Sequence, residues 1–310
     1  MKYYNLKKIK DLFDRGENVT SYLKEFEGTT KNSPKSIEIS YDLQAGSYIN
    51  FARSNPSQFK DSTDEIASVL SEYVSSGDRV LDCGTGEMTT LCGVAEKSFV
   101  DVAEIYCFDL SLSRLVFGKG FAKEELSSVL LNRLKPFIAE LSNIPMLDNS
   151  MDIVWSSHAL EPNYGREEEI LTEIFRVAKK KVVLFEPSYE RNTADGKKRM
   201  DKLGYIRGLE GYAERLGGVI EEVIEIKSTL NPLNPTYAHV ITPPYSSIGV
   251  CNTDHVYACP NTKTPLIQVR SDFFYSEESM LAYPIFMGIP VLRSDLAIVA
   301  CHPDKYSDLA

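Results

Sequence analysis

Nothing in the sequence narrows the fold as much as the stretch from 78 to 186, where short apolar runs alternate with amphipathic segments. The runs are "RVLDC", "EIYCFDL", "KPFIAEL", "MDIVWSS" and "KVVLFEP", with helices predicted from about 89, from about 112 and over 166–179. Strands separated by helices pair in parallel through crossovers, so the pattern predicts a doubly wound α/β sheet. In the helix after "GREEE", Ile170, Leu171, Ile174, Phe175 and Ala178 fall on one face. Three glutamates stand near its start, where the helix dipole favours negative charge.

Three segments before residue 76 read as helices: roughly 4–25 with a break at Gly16, 35–53, and 61–75, the last carrying Ile66, Val69, Leu70 and Val74 at helical spacing. Beyond 186 follow a charged helical region to about 216 and a strand in "VIEEVIEIKS". Four prolines between 231 and 245 predict a linker or a functional loop there. A shorter unit runs from about 255 to the end.

The formal net charge of -10 argues against broad nucleic-acid binding, which needs a dense surface of Lys and Arg. No run approaches the roughly 20 apolar residues of a membrane span, and the N-terminus has charges where a signal peptide has its apolar stretch. The expected location is cytoplasmic. Cys83, Cys92 and Cys107 lie in segments that read as buried core, which suits reduced thiols better than a disulfide framework.

The first strand ends in "LDCGTG". Gly84 and Gly86 permit close approach of a ligand to the turn and the next helix, although a tight turn alone also explains them. Asp82, just before, is awkward beside a diphosphate and well suited to an ammonium group. Asp109 ends the second strand, 23 positions after Gly86, where a carboxylate accepts both hydroxyls of a ribose. The turn lacks the third glycine of a dinucleotide fingerprint. Together these favour a ligand with a ribose and a positive charge but no phosphates.

With "VLDCGTG", "CFDLS" and "AELSNIPMLDNSMDIVWSSHALEP" in place, residues 60–230 resemble the class I S-adenosylmethionine-dependent methyltransferases of the type 11-like kind. The resemblance implies a Rossmann-like seven-stranded methyltransferase sheet with S-adenosyl-L-methionine as cofactor. It divides the chain into a helical N-terminal cap over 1–60, a methyltransferase domain over 61–245 and a small β-rich module over 246–310. It implies that Gly84 and Gly86, with Thr85 between them, face the methionine part, with Asp82 near its amino group. Asp109, followed by Leu110, would bind the ribose hydroxyls, and Glu140 and Leu141 would meet the adenine. Ser156 and His158 fall where the methyl end and the acceptor meet. Asp152 fits the family pattern, and equally the closing of a turn. In the cap, Tyr41, Gln44 and Tyr48 are spaced to share a helical face. They suit a lid over the cofactor, and core packing accounts for the tyrosines equally well.

Methyl transfer from a sulfonium is a direct displacement, so the protein mainly aligns the acceptor and, for an alcohol, removes its proton. His158, with an unperturbed pKa near 6.5, is the first candidate base. Its structural alternative is a hydrogen bond to backbone at a strand end. Glu161 is a second candidate base or an orienter, unless it only caps the loop. Glu186, Tyr189 and Glu190 are candidate acceptor contacts. "TPPY" at 242–245 is similar to the Asn-Pro-Pro-Tyr loop of amine methyltransferases, but it begins with threonine and follows the fourth strand too late, so it reads as a proline turn. The expected activity is therefore O-methylation of a small-molecule or saccharide acceptor. A tRNA or protein methyltransferase and a non-catalytic cofactor-binding partner protein are the alternatives.

"YACPNTKTPL" and "LAYPIFMGIPVL" resemble a small zinc-ribbon-like domain found as a free partner of tRNA and protein methyltransferases and as a fused appendage of others. That pattern has a second cysteine three residues after the first, where this chain has Thr262. Zinc needs about four ligands. Cys251, His255, Cys259, Cys301 and His302 lack the paired spacing, so a degenerate module without metal is expected. Tyr283, Pro284, Ile285, Ile289, Pro290 and Val291 then form an apolar strand-turn-strand that covers the methyltransferase domain or the mate in a homodimer.

Overall fold

The computed structural model describes residues 3–229, 231–244 and 256–302. Five helices open the chain: α1 (Leu6–Asp14), α2 (Val19–Glu27), α3 (Pro34–Leu43), α4 (Ser47–Ser54) and α5 (Pro56–Ser71). A capping box starts α3, the Ser33 and Ser36 side chains each accepting the other's backbone N–H. The single helix predicted over 35–53 is in fact two, because the chain turns at Gly46 with φ +97, a conformation that glycine enters without strain. The helix predicted over 61–75 instead begins at Pro56, whose missing N–H costs nothing in a first turn, and ends at Ser71.

The main sheet is built from β1 (Arg79–Cys83), β2 (Glu104–Asp109), β3 (Leu134–Ile138), β4 (Met151–Ser157), β5 (Ala178–Pro187), β6 (Val219–Ile226) and β7 (Thr236–Thr242), in the order β3-β2-β1-β4-β5-β7-β6. The first five are parallel, and β7 runs antiparallel to both β5 and β6. Helices α6 (Thr89–Ser98), α7 (Leu112–Glu125), α8 (Ser128–Arg133) and α9 (Glu167–Val177) make the crossovers, followed by α10 (Ala194–Leu203) and α11 (Leu209–Arg215). One expectation fails here. The seventh strand lies within 231–245, the segment read as a linker or loop; Pro235 and Pro243 flank β7 and bound it rather than interrupt it.

Alternation along the central strands feeds two cores. Ile153, Trp155, Val183 and Phe185 join the cluster with Leu70, Leu91 and Leu115 of α5, α6 and α7. Val154, Val182 and Leu184 join Ile170, Ile174 and Ala213 of α9 and α11 on the other side. Both faces of the sheet are thus buried, as parallel strands require. Asp152 is a structural residue: it accepts the Arg79 backbone N–H at 3.0 Å and pairs with Lys179 and Lys180 at 3.4 and 3.2 Å, at the start of β4.

The last unit is antiparallel: β8 (Ile267–Arg270), β9 (Phe273–Ser276), β10 (Leu281–Phe286), β11 (Ile289–Pro290) and β12 (Ile298–Val299). It packs beside β3. Val291 bridges Ile138, the Leu292 N–H donates to the Ile138 carbonyl at 2.9 Å, and Tyr257 meets Tyr106 and Phe137 edge-on. The strand-turn-strand therefore covers the main sheet of its own chain. Strand order reverses between β1 and β4, which opens a crevice at their C-terminal ends, where α/β sheets place ligands.

Candidate active site

Four strand ends meet at this crevice around a cavity of about 100 Å3. After β1, Gly84 and Gly86 take φ of +71 and +56; a Cβ on Gly84 would lie 2.4 Å from the Ala159 Cβ, so this turn touches the segment after β4. Thr85 lines the cavity. Asp82 does not: it is buried beneath the turn, and burial pushes its carboxyl up to about 7. Met88, also left-handed with φ +56, is fully buried in the core. Room for it comes from Gly118 of α7, where a Cβ would stand 2.9 Å from the Met88 Cγ.

At the end of β2, Asp109 accepts the Gly86 N–H at 3.0 Å and the Ser111 N–H at 2.8 Å, and Leu110 lines the cavity beside it. Burial raises the Asp109 carboxyl above its usual range, against the pull of the Arg114 guanidinium. Past β3, Glu140 and Leu141 reach the same cavity; Glu140 pairs with Arg166 at 2.5 Å and accepts the Ser142 hydroxyl at 2.7 Å. Over the top, Tyr41 and Tyr48 bracket Arg114, whose guanidinium carbon is 4.9 and 4.5 Å from the two ring centres. Arg114 pairs with buried Glu87 at 3.6 Å. Gln44 instead turns back to the Ser40 carbonyl.

Ser156 faces away from the cavity, donating to Glu186 at 2.7 Å. The same Glu186 oxygen accepts the backbone N–H groups of Ala159 and Leu160 at 3.1 and 3.2 Å, so this glutamate, raised to about 7 by burial, fixes the turn after β4. Nor do Tyr189 and Glu190 line a cavity wall: Tyr189 stacks under Arg207 and Glu190 accepts the Gly208 N–H.

A second cavity of about 300 Å3 adjoins the first, and His158, Ser157, Tyr48, Thr89 and Thr90 belong to both. Glu161 lines this second space. Its walls are apolar at Phe51, Phe59, Ile66 and Ile226, and polar at Arg199, Tyr205, Asn231, Asn234 and Thr236. His158, held at φ +55, has its Nδ1 3.0 Å from Glu161 Oε2 and its Nε2 3.0 Å from Thr236 Oγ1. Asn234 donates to the same Glu161 oxygen at 3.2 Å. Burial alone would lower the imidazole pKa, but the Glu161 hydrogen bond and the charges of Glu161 and Glu186 prevail and raise it.

Sequence reasoning missed Arg114, Glu87, Arg166 and Arg199, which only the tertiary fold brings to these walls. It also missed a regularity in the last unit. Cys259 and Thr262 are separated by two residues, as are Ser276 and Ser279. Burial would push the Cys259 thiol up, yet hydrogen bonds from Ser279, Thr262, Tyr283 and Ser276 pull it down to about 6. The sulfur lies 3.4 Å from Ser279 Oγ and 3.2 Å from the Tyr283 hydroxyl. Among the described residues no group of three or more His, Cys, Asp or Glu is placed to hold a metal. Cys301 and His302 are exposed, and Cys251 and His255 lie outside the described residues.

Residues 81–185 match the family described as Methyltransferase domain. Similar solved structures include the complex between the Haloferax volcanii Trm112 methyltransferase activator and a candidate methyltransferase, at 17% identity over 66% of this chain and 98% of that one, with a TM-score of 0.51. A SAM dependent methyltransferase from Aquifex aeolicus is 17% identical over 57% of this chain and 88% of that one (TM-score 0.42), and the cyclase SpnF is 17% identical over 59% and 81% (TM-score 0.49). No curated protein matches the chain. The family match falls on the strands and turns that build the crevice, so residues 81–185 are similar to a methyltransferase domain over the part of the chain that forms this site.

Proposed function

We propose that the protein O-methylates a small hydroxylated acceptor, a free small molecule or a saccharide, seated in the cavity beside His158. The observation that carries this reading is the position of the His158–Glu161 pair on the wall shared by the two cavities. The first cavity suits the cofactor: a glycine turn that leaves backbone open, carboxylates at the ends of β2 and β3, and tyrosines above. Gly84, Thr85 and Gly86 would hold its methionine part, Asp109 its ribose hydroxyls, and Glu140 with Leu141 its adenine. When bound, it supplies a methyl group activated by the sulfonium charge.

Neutral His158 donates its Nδ1–H to Glu161 and keeps Nε2 as the proton acceptor. Thr236, which lines the acceptor cavity, links Nε2 to that space. His158 Nε2, through Thr236 Oγ1, would take the acceptor hydroxyl's proton as that oxygen displaces the methyl group from sulfur, and the Glu161 charge would stabilise the imidazolium. His158→Gln is expected to lower kcat about 100-fold, the usual contribution of a positioned base, with cofactor affinity unchanged. The parent's rate should rise with pH through the His158 pKa, above the ordinary value of about 6.5, because only the neutral ring accepts a proton. Labelled cofactor with cell extract as the acceptor source measures both; a variant that keeps the full rate and the same pH profile sinks His158 as the base.

Cofactor binding has its own check. Asp109→Asn removes one charge from the ribose end, worth about 2 kcal/mol, so S-adenosylhomocysteine should bind about 30-fold more weakly in calorimetry. Undiminished affinity would rule out Asp109 as the ribose ligand.

A further inference from the structure

The second cavity has a charge that the proposed methyl transfer does not use. Arg199 of α10 reaches its wall, with Nη1 donating to Asn234 Oδ1 at 3.3 Å and the guanidinium carbon 5.4 Å from the Tyr205 ring centre. Among the described residues no carboxylate lies within ion-pair distance of Arg199. Glu161 does not fill that role, because it is committed to His158 and Asn234. With His158 neutral, Glu161 is the carboxylate of this wall, but it is hydrogen-bonded to His158 and Asn234 rather than to Arg199, so among the described residues the guanidinium is left without an ion-pair partner. Phe51, Phe59, Ile66 and Ile226 supply an apolar surface in the same space.

From this juxtaposition we infer that the acceptor is a hydroxylated carboxylic acid with a flat apolar body, its carboxylate held by Arg199 and its hydroxyl presented to His158. The inference rests on the second cavity being the acceptor site. A guanidinium matches a carboxylate with two parallel hydrogen bonds and one unit of charge. A phosphate monoester carries nearly two charges at neutral pH, and Arg199 alone balances only one. Phe51 and Phe59 suit an aromatic or conjugated body, whose faces bury well against rings. A volume of about 300 Å3 limits the molecule to the smallest ordinary ligands.

The test is a binding panel on the full chain in the presence of S-adenosylhomocysteine: hydroxybenzoate and hydroxycinnamate isomers, their methyl esters, and phenyl phosphate. At least one acid should bind about tenfold more tightly than its ester. Arg199→Met should erase that preference, and Arg199→Lys should retain part of it, which separates lost charge from lost fold. Esters binding as well as acids, phenyl phosphate binding best, no probe binding at all, or an unchanged acid-to-ester ratio in Arg199→Met would each overturn the inference. Labelled cofactor with the best-binding acid distinguishes the two levels: tight binding without methyl transfer leaves the carboxylate site standing and removes O-methylation.

Discussion

Replacing Thr262, Ser276 and Ser279 with cysteine, together with Tyr283→Phe, is expected to yield a protein that retains one zinc ion per chain through exhaustive dialysis. The parent is expected to retain none. The two pairs already have the spacing of a metal knuckle, and the Ser279 hydroxyl already lies 3.4 Å from the Cys259 sulfur. Four thiolates at about 2.3 Å satisfy tetrahedral zinc, whereas one thiolate and three neutral hydroxyls do not. Tyr283 must change as well, because its hydroxyl is 3.2 Å from the sulfur and occupies space that a metal centre needs. Structural zinc contributes about 10–16 kcal/mol at neutral pH, so the gain should be plain in metal content by atomic emission and in the midpoint of thermal unfolding. A zinc-free quadruple variant, or a parent that carries stoichiometric zinc, would show that hydrogen bonds have not taken over a metal's place here.

Arg114→Met should cost about 3–4 kcal/mol of folding stability, measured as the loss in urea unfolding followed by circular dichroism. Arg114 is 6% exposed and fills the gap between two tyrosine rings, one from α3 and one from α4. Its removal leaves Glu87 and Asp109 buried without their cation, and breaking a buried pair from one side costs about 3–5 kcal/mol. The deficit should depend on pH with a definite sign. Burial already raises the folded Asp109 pKa while Arg114 opposes it, so the variant's value rises further. A carboxyl raised on folding favours the native state below its unfolded pKa of about 3.9, and that advantage is lost as pH rises through the folded value. The variant should therefore lag least in acid and most near neutrality. A loss below about 1 kcal/mol, or a deficit that grows on acidification, would contradict the arrangement.

The parallel core was legible because burial on both faces writes itself as apolar runs, and the crossover helices as amphipathic ones. Strand β7 was missed for a local reason. Pro235 and Pro243 dominate the reading of 231–245, although they stand outside the ladder and leave Tyr237–Ile241 free to pair on both sides. Tyr41 and Tyr48 were found through a spacing that does not hold, since Gly46 breaks the helix between them; what unites them is Arg114, arriving from α7. No local pattern announces such a residue. The knuckle spacing of Ser276 and Ser279 could have been read, but serines carry none of the signal that cysteines do. Ser156 and Asp82 sit in the expected motifs and still do not line the cavity, because Ser156 is bonded to Glu186 and Asp82 is buried beneath the turn.

The contact between Val291, Leu292 and Ile138 bears on where this protein can be cut. Read along the chain, the last fifty residues look like an appendage that a shorter version could lose. Spatially, Val291 and Leu292 lie along the side of β3 that no other strand of the main sheet pairs with, and an uncovered strand edge invites pairing with another molecule. A truncation placed at the apparent boundary would trade a tidy methyltransferase domain for a sticky one. The contact of Val291 and Leu292 with Ile138 thus occupies a strand edge that would otherwise be open to another molecule.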